Sequence, residues 1–188
     1  EFDKDSHIIN LKQGLFNLKT GTIDDHSTDY LSRVRIPIYY NPKATCPRFD
    51  KFLDSSLCFC GVCGIFPDEK KIRTVLEMMA YTLIKDSFLL GKAFMNTGKG
   101  SNGKSLLFDI LFAMLGKENV SAKTIHDFQT NQFATSALEN KLANICADVG
   151  NQGITETETL KKIITGDVLD CEKKFMSSYA FIPYATLI

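Results

Sequence analysis

Residues Gly98-Lys99-Gly100-Ser101-Asn102-Gly103-Lys104-Ser105 form a complete G-x-x-x-x-G-K-[ST] pattern. Its glycines permit the backbone turns that aim several N–H groups into one concavity, and a helix starting at the lysine adds a positive N-terminal dipole. The required context is present on both sides. Ala93-Phe94-Met95-Asn96 reads as a short strand. Lys104 to Leu115 reads as a helix with Leu106, Leu107, Ile110, Leu111, Met114 and Leu115 on one face and Gly116 as its stop. The loop is a candidate cradle for a nucleotide's phosphates, with Lys104 reaching the β- and γ-phosphates and the Ser105 hydroxyl binding Mg²⁺.

A phosphate loop needs a partner carboxylate at the end of a second buried strand, to hold the Mg²⁺ shell or polarise the attacking water. Leu142-Ala143-Asn144-Ile145-Cys146-Ala147-Asp148 reads as that strand, and Asp148 as that acid. A guanine-selecting N-K-x-D is absent from the sequence, which disfavours a switch GTPase. Helical patterns at 135–139 and 156–164 and a closing strand at 185–188 complete an alternation of strand and helix. Such alternation predicts an α/β layer fold with a parallel sheet.

Upstream of Ser87 the chain has another character. His7–Leu11 and Leu15–Leu18 read as strands about a turn at Gly14, with a second turn at Lys19-Thr20-Gly21. Arg33 to Tyr40 alternates like an edge strand tolerant of Pro37. Phe49, Phe52, Leu53 and Leu57 fall at helical spacing, and a longer helix over 68–85 is expected to bury Ile72, Val75, Leu76, Met79 and Leu83. The expectation is a small α+β domain over 1–86, then a P-loop NTPase domain over 87–188.

The 188 residues carry 22 Lys+Arg against 22 Asp+Glu, for a net charge of +0, and are 44% hydrophobic. That is globular composition; it excludes a disordered or collagen-like chain and removes any argument for nucleic-acid binding from bulk charge. No apolar run reaches the ~18 residues of a membrane span. The acidic start, Glu1-Phe2-Asp3, has no export pattern, so cytoplasm is expected, of a host cell if the gene is viral. A first residue other than Met and an apolar end at Ile188 suggest a piece of a longer protein. Cys58, Cys60 and Cys63, with Cys46 upstream, supply only one tidy half of a zinc site, and free cysteines buried as small hydrophobes remain the alternative. His7, His26 and His126 are too far apart to suggest a metal cluster.

Taken in order, the loop 98–105, the acid Asp148, the segment Ile163-Ile164-Thr165-Gly166-Asp167 and the closing Phe181, Pro183, Ala185, Leu187 and Ile188 resemble superfamily 3 helicases. The likeness is to the C-terminal ATPase of phage and plasmid primase–helicases, with poxvirus primase–helicases as distant cousins. Gly14–Gly21, Tyr40–Ala44 and Phe52-Leu53 look like the small domain preceding that ATPase, so the resemblance covers nearly the whole chain. It implies an ATP- and Mg²⁺-dependent helicase acting on single-stranded DNA in replication of a phage or mobile element. It also implies a homo-oligomer, a hexamer in the full-length protein, with a β-hairpin between residue 167 and the last strand pointing into the ring's pore. Lys162, Lys173 and Lys174 are then the candidate DNA contacts, each multiplied sixfold by the ring.

Three departures stand out. Ala147 and Val149 flank Asp148 where relatives often have a second acid, so the group that activates water is left open. Ile164 and Thr165 replace Thr and Gly of the family's L-T-G-G-D. The chain ends before the family's sensor Asn and its arginine, so one strand of a five-stranded sheet is expected to be missing and this piece is expected to bind nucleotide better than it hydrolyses it. Two rivals remain. One is a P-loop phosphotransferase, disfavoured because no arginine for a lid follows Arg73. The other is a nucleotide-dependent DNA-binding or assembly module without hydrolysis, which a lone acid at 148 would suit.

Overall fold

A computed structural model describes residues 2–61, 64–86, 90–98, 102–131, 133–147, 157–173, 175 and 177–188. The N-terminal part opens with an antiparallel meander of β1 (Ile8–Leu11), β2 (Gly14–Asn17) and β3 (Thr22–Asp24). Ile9 pairs with Phe16 and Leu15 with Asp24. The expected strand over 33–40 is only a bridge, Leu11 to Ile36, made by Ile36 N–H to Asn10 O at 2.8 Å and Lys12 N–H to Ile38 O at 3.2 Å. Pro37 has no N–H to continue a ladder.

Two helices follow. Helix α1 (Pro47–Ser56) begins with proline at its first position, where the missing N–H costs nothing. A hairpin of β4 (Cys58–Gly61) and β5 (Gly64–Pro67) separates it from α2 (Glu69–Tyr81), whose N-cap Asp68 accepts from Lys71 N–H at 3.1 Å. Helix α2 stops short of the expected residue 85; buried Thr82 follows it, its hydroxyl donating to Met79 O at 2.6 Å. Its buried face holds Val75, Met78, Met79 and Tyr81, whereas Leu76 is exposed.

Helix α3 (Lys104–Leu115) lies where the sequence places it, but its buried residues are Leu107, Phe108, Leu111 and Leu115, and Leu106 faces out. Then come β6 (Val120–Ser121), α4 (Ile125–Thr130), a 3₁₀ turn at Thr135–Leu138 in place of an expected helix, and β7 (Ala143–Asn144). Helix α5 (Glu158–Thr165) leads to β8 (Leu169–Cys171), β9 (Tyr179–Phe181) and β10 (Thr186–Leu187). Strands β6, β7 and β10 form a parallel sheet in the order β10-β7-β6, with Ala143 opposite both Val120 and Thr186. Flanking bonds lengthen it, Ile145 N–H to Ser121 O at 2.8 Å and Cys146 N–H to Ile188 O at 2.9 Å. The segment 93–96 is not a strand; a bond from Phe94 N–H to Leu187 O at 2.9 Å holds it to the free edge of β10.

Helices cover both faces of this sheet, the arrangement a parallel sheet requires. On one side α3 joins Ala143 and Ile145 in a large core that also takes Ile9, Leu11, Val34 and Ile36 from the N-terminal part and Leu53, Val75 and Met78 from α1 and α2. On the other side Phe128 of α4 and Leu160 and Ile163 of α5 form a smaller core with Leu169, Cys171, Ala185 and Leu187. The large core is continuous across residue 86. Among the described residues, no helix is long and apolar enough to cross a membrane.

Candidate nucleotide site and its neighbouring hairpin

Gly103 is the N-cap of α3 and adopts the left-handed conformation, φ +82°, which a side chain strains. A Cβ there would also lie 2.7 Å from the Phe52 ring and 2.9 Å from Ser56 Oγ, so the loop turns into α3 directly against α1. A Cβ on Gly98 would fall 1.9 Å from Asn102 Nδ2. Lys104 Nζ folds back into the loop, donating to Gly98 O at 3.1 Å and Asn102 Oδ1 at 2.9 Å. A cation with three donors thus lies on loop acceptors at the positive end of a 12-residue helix. Ser105 is exposed one residue further on. Lys99, Gly100 and Ser101 lie outside the described residues.

Lys104 borders two cavities. One, of about 260 Å³, lies against the sheet and is lined by Asn96, Lys123, Asn144, Ala147 and Ile188 among others. The second, of about 200 Å³, lies toward the N-terminal part between Phe52, Ser56, Lys71, Thr97 and Asn102. Asp148 is outside the described residues; Ala147, its immediate predecessor, lines the first cavity.

Asn144 is a site residue with no sequence pattern behind it. Its Oδ1 accepts from Ser121 Oγ and from Lys123 N–H, both at 2.8 Å, while its Nδ2 donates to Lys123 O at 2.9 Å. This buried amide fastens the chain leaving β6 to β7 beside the cavity. The Thr124–Asp127 capping box then starts α4 at once, a signal carried by two residues three apart in the sequence.

The segment 163–167 proves to be a helix terminus. Gly166, left-handed at φ +71°, donates its N–H to Lys162 O, and Asp167 N–H reaches the same carbonyl at 2.9 Å. Thr165 Oγ1 donates to Asp167 Oδ2 at 2.6 Å. The chain then enters the β8–β9 hairpin, paired from Leu169–Phe181 to Cys171–Tyr179, at the place where the resemblance puts one.

The three candidate DNA lysines have different fates. Lys162 pairs with Glu158 one turn back at 2.8 Å, which holds its pKa above the ordinary lysine value. It also lines a cavity of about 630 Å³ beneath the hairpin, with Gln129, Asn131, Asp170 and Glu172. Lys173 is bound to Glu139 at 2.6 Å, and this bond, with Tyr179 beside it, pushes its pKa up. Lys174 lies outside the described residues, next to Phe175, which is fully exposed.

For the zinc question, Cys46 is exposed and Cys58 half-buried at the start of β4. Cys63 and the side chain of Cys60 lie outside what is described. His26 bonds Asn10 Oδ1 and Leu11 O at 3.1 and 3.0 Å beside the meander, and so has a structural partner.

Comparison with known proteins adds three findings. Residues 1–58 match the family described as D5 N terminal like, and residues 96–188 match a family of unknown function, DUF5906. No protein of curated function matches the chain. Two apo structures of the NrS-1 C-terminal region share the fold. One, its A form, is 20% identical with a TM-score of 0.58, covering 84% of this chain and 36% of that one. The other is 19% identical with a TM-score of 0.59, covering 84% and 37%. The chain thus spans little more than a third of those structures' length.

Proposed function

We propose that this chain, whose residues 1–58 match the D5 N terminal like family and 96–188 match DUF5906, is part of an ATP-dependent DNA helicase. Residues 87–188 form its P-loop ATPase and 1–86 the small domain preceding it, within a hexameric primase–helicase of a phage or mobile element. The observation that carries this reading is Lys104. Its ammonium lies on Gly98 O and Asn102 Oδ1, at the N-terminus of α3 and beside the ends of the parallel strands. In open α/β sheets ligands bind at those carboxyl ends.

The residues present fit a nucleoside triphosphate. Gly98 and Gly103 permit the close approach of Asn102 and of α1 that shapes the loop, and Lys104 is the charge for β- and γ-phosphate oxygens. To take that role Lys104 exchanges the two loop acceptors for phosphate oxygens, with no change in charge. Ser105 and Asp148 would hold Mg²⁺, which neutralises the charge of the transferring phosphoryl group. Asn102 bears on the position of Lys104 as well as on the loop's shape. The hairpin carries the motion to single-stranded DNA, with Lys174 as its cation and Lys162 on α5 behind it.

A second reading has one observation in its favour. Asp148 stands between Ala147 and Val149, without a second acid, which suits a module that binds nucleotide to assemble on DNA without hydrolysing it. ATP turnover by the full-length protein, with and without single-stranded DNA and with Lys104→Ala as control, separates the two. Turnover that rises with DNA and falls at least about 100-fold in the control is the expected result. Binding of Mg-ATP without turnover favours the assembly module, DNA-indifferent turnover favours a phosphotransferase, and unchanged Mg-ATP affinity in Lys104→Ala removes the loop from the site.

A further inference from the structure

Glu139 follows the 3₁₀ turn at Thr135–Leu138, and its carboxylate gathers groups from three places in the chain. Its Oε2 accepts from Lys173 Nζ at 2.6 Å and from Tyr179 Oη at 2.7 Å. Its Oε1 lies 3.9 Å from Arg33 Nη1 in the N-terminal part. Lys173 comes two residues after β8 and Tyr179 is the first residue of β9, so one carboxylate oxygen bridges both strands where the hairpin leaves the body. The Lys173 ammonium also lies 5.1 Å from the centroid of the Tyr179 ring.

A two-stranded ribbon of three paired positions has no stiffness of its own. Leu169 and Cys171 anchor one strand in the small core, and that fixes where the hairpin begins. It does not fix the angle at which the ribbon leaves that core. A carboxylate shared between the two strands, only 21% exposed and held by charge-assisted bonds, does fix it.

We propose that Glu139 is the positioning residue of the β8–β9 hairpin, setting the angle at which its two strands leave the small core and referring that angle to the N-terminal part through Arg33. The purpose of this clasp rests on the DNA-motor reading given above; its existence does not. One consequence is specific to it. Lys173 belongs to the clasp, so its ammonium is not the phosphate contact, and that role passes to another cation.

The test is amide hydrogen exchange of residues 172–178 in the full-length protein, combined with ATP turnover with and without single-stranded DNA. Glu139→Ala is expected to speed hairpin exchange by about tenfold or more, with α3 unaffected. Basal turnover stays unchanged, while its stimulation by DNA falls at least about threefold. Glu139→Gln, which still accepts from Tyr179, falls between, and Lys173→Ala loosens the hairpin as Glu139→Ala does. Unchanged hairpin exchange in Glu139→Ala overturns the proposal. So does a Lys173→Ala protein with an ordered hairpin whose only defect is a DNA-binding salt slope lower by about 1. If wild-type turnover ignores DNA while Glu139→Ala still loosens the hairpin, the motor reading fails and the clasp stands.

Discussion

The two faces of the parallel sheet are built differently. On the α3 face, residues from β1, the 34–36 segment, α1, α2 and α3 meet in one core, with Leu111 and Leu115 wholly buried. On the α5 face the core is little more than half that size and its buried residues run from Phe128 onward. On the first face the N-terminus of α3 is braced, since Gly103 rests on α1 and α3 buries Leu107, Phe108, Leu111 and Leu115 along its length. The second carries the β8–β9 hairpin, anchored in the small core by Leu169 and Cys171, beyond which Phe175 is fully exposed. The division also says where a substitution should be felt.

The largest effect is expected at the buried pair of Lys85 and Asp3, which closes the N-terminal part onto the large core. Their side chains are 4% and 10% exposed, and Ser32 Oγ and Arg33 N–H complete the carboxylate's bonds at 2.6 and 3.1 Å. Lys85→Ala leaves Asp3 buried without its counter-charge and should cost about 3–5 kcal/mol in urea unfolding, much of it recovered in the double variant with Asp3→Asn. Next come Leu111→Ala and Ile163→Ala, both at fully buried positions, each expected to cost about 2–5 kcal/mol. Their reach separates them. Leu111→Ala should speed amide exchange in β1, β2 and β7 together, whereas Ile163→Ala should speed it in α4, α5 and the hairpin alone. If β1 and β2 kept their protection in Leu111→Ala, the large core would be two cores and the comparison would fail.

Gly103→Ala is smaller and more local. The left-handed φ alone costs about 1–2 kcal/mol, and the added methyl must also displace the Phe52 ring. Pairing it with Phe52→Ala should recover the steric part and leave the backbone part. Calorimetric titration with Mg-ATP is the check, with weakened affinity expected in the single variant and partial recovery in the double.

What the sequence disclosed and what it hid follow the same division between local and distant causes. The loop, α1, α3 and the turn at Gly166 are written in neighbouring residues: glycines at fixed offsets, a proline at a helix start, apolar spacing of three and four. The likeness to phage and plasmid primase–helicases, with poxvirus ones as distant cousins, rests on motifs in order along the whole chain, and the D5 N-terminal-like match over 1–58 bears it out. Strands at 33–40 and 93–96 were expected from alternation alone, yet each makes too few ladder bonds to become one. Leu76 and Leu106 fit an apolar stripe but face out, because the core meets each helix along a slightly rotated line. Asn144 and Glu139 were illegible because they are defined by partners far along the chain, Lys173 and Tyr179 being 34 and 40 residues from Glu139.

The smallest effect expected is a pH dependence confined to the second face. Burial pushes the Glu139 pKa up, but hydrogen bonds from Lys173 and Tyr179 and the charges of Lys173 and Arg33 outweigh it, so the pKa lies below its ordinary 4.5. A carboxylate depressed on folding binds its proton more readily in the unfolded chain, so its contribution to stability is complete above the unfolded value and fades as pH falls through the folded one. The stability difference between wild type and Glu139→Gln should therefore be flat from about pH 7 to about pH 5 and shrink below 4.5. Asp68, Asp127 and Glu158 are depressed by bonds of their own and weaken both proteins in the same acid range, so they cancel in the difference. Exchange of the hairpin amides should follow that curve, while amides of α3 should not. A hairpin that stayed protected at acid pH in wild type would mean that the small core alone holds it, and the two faces would then differ in size but not in how they are anchored.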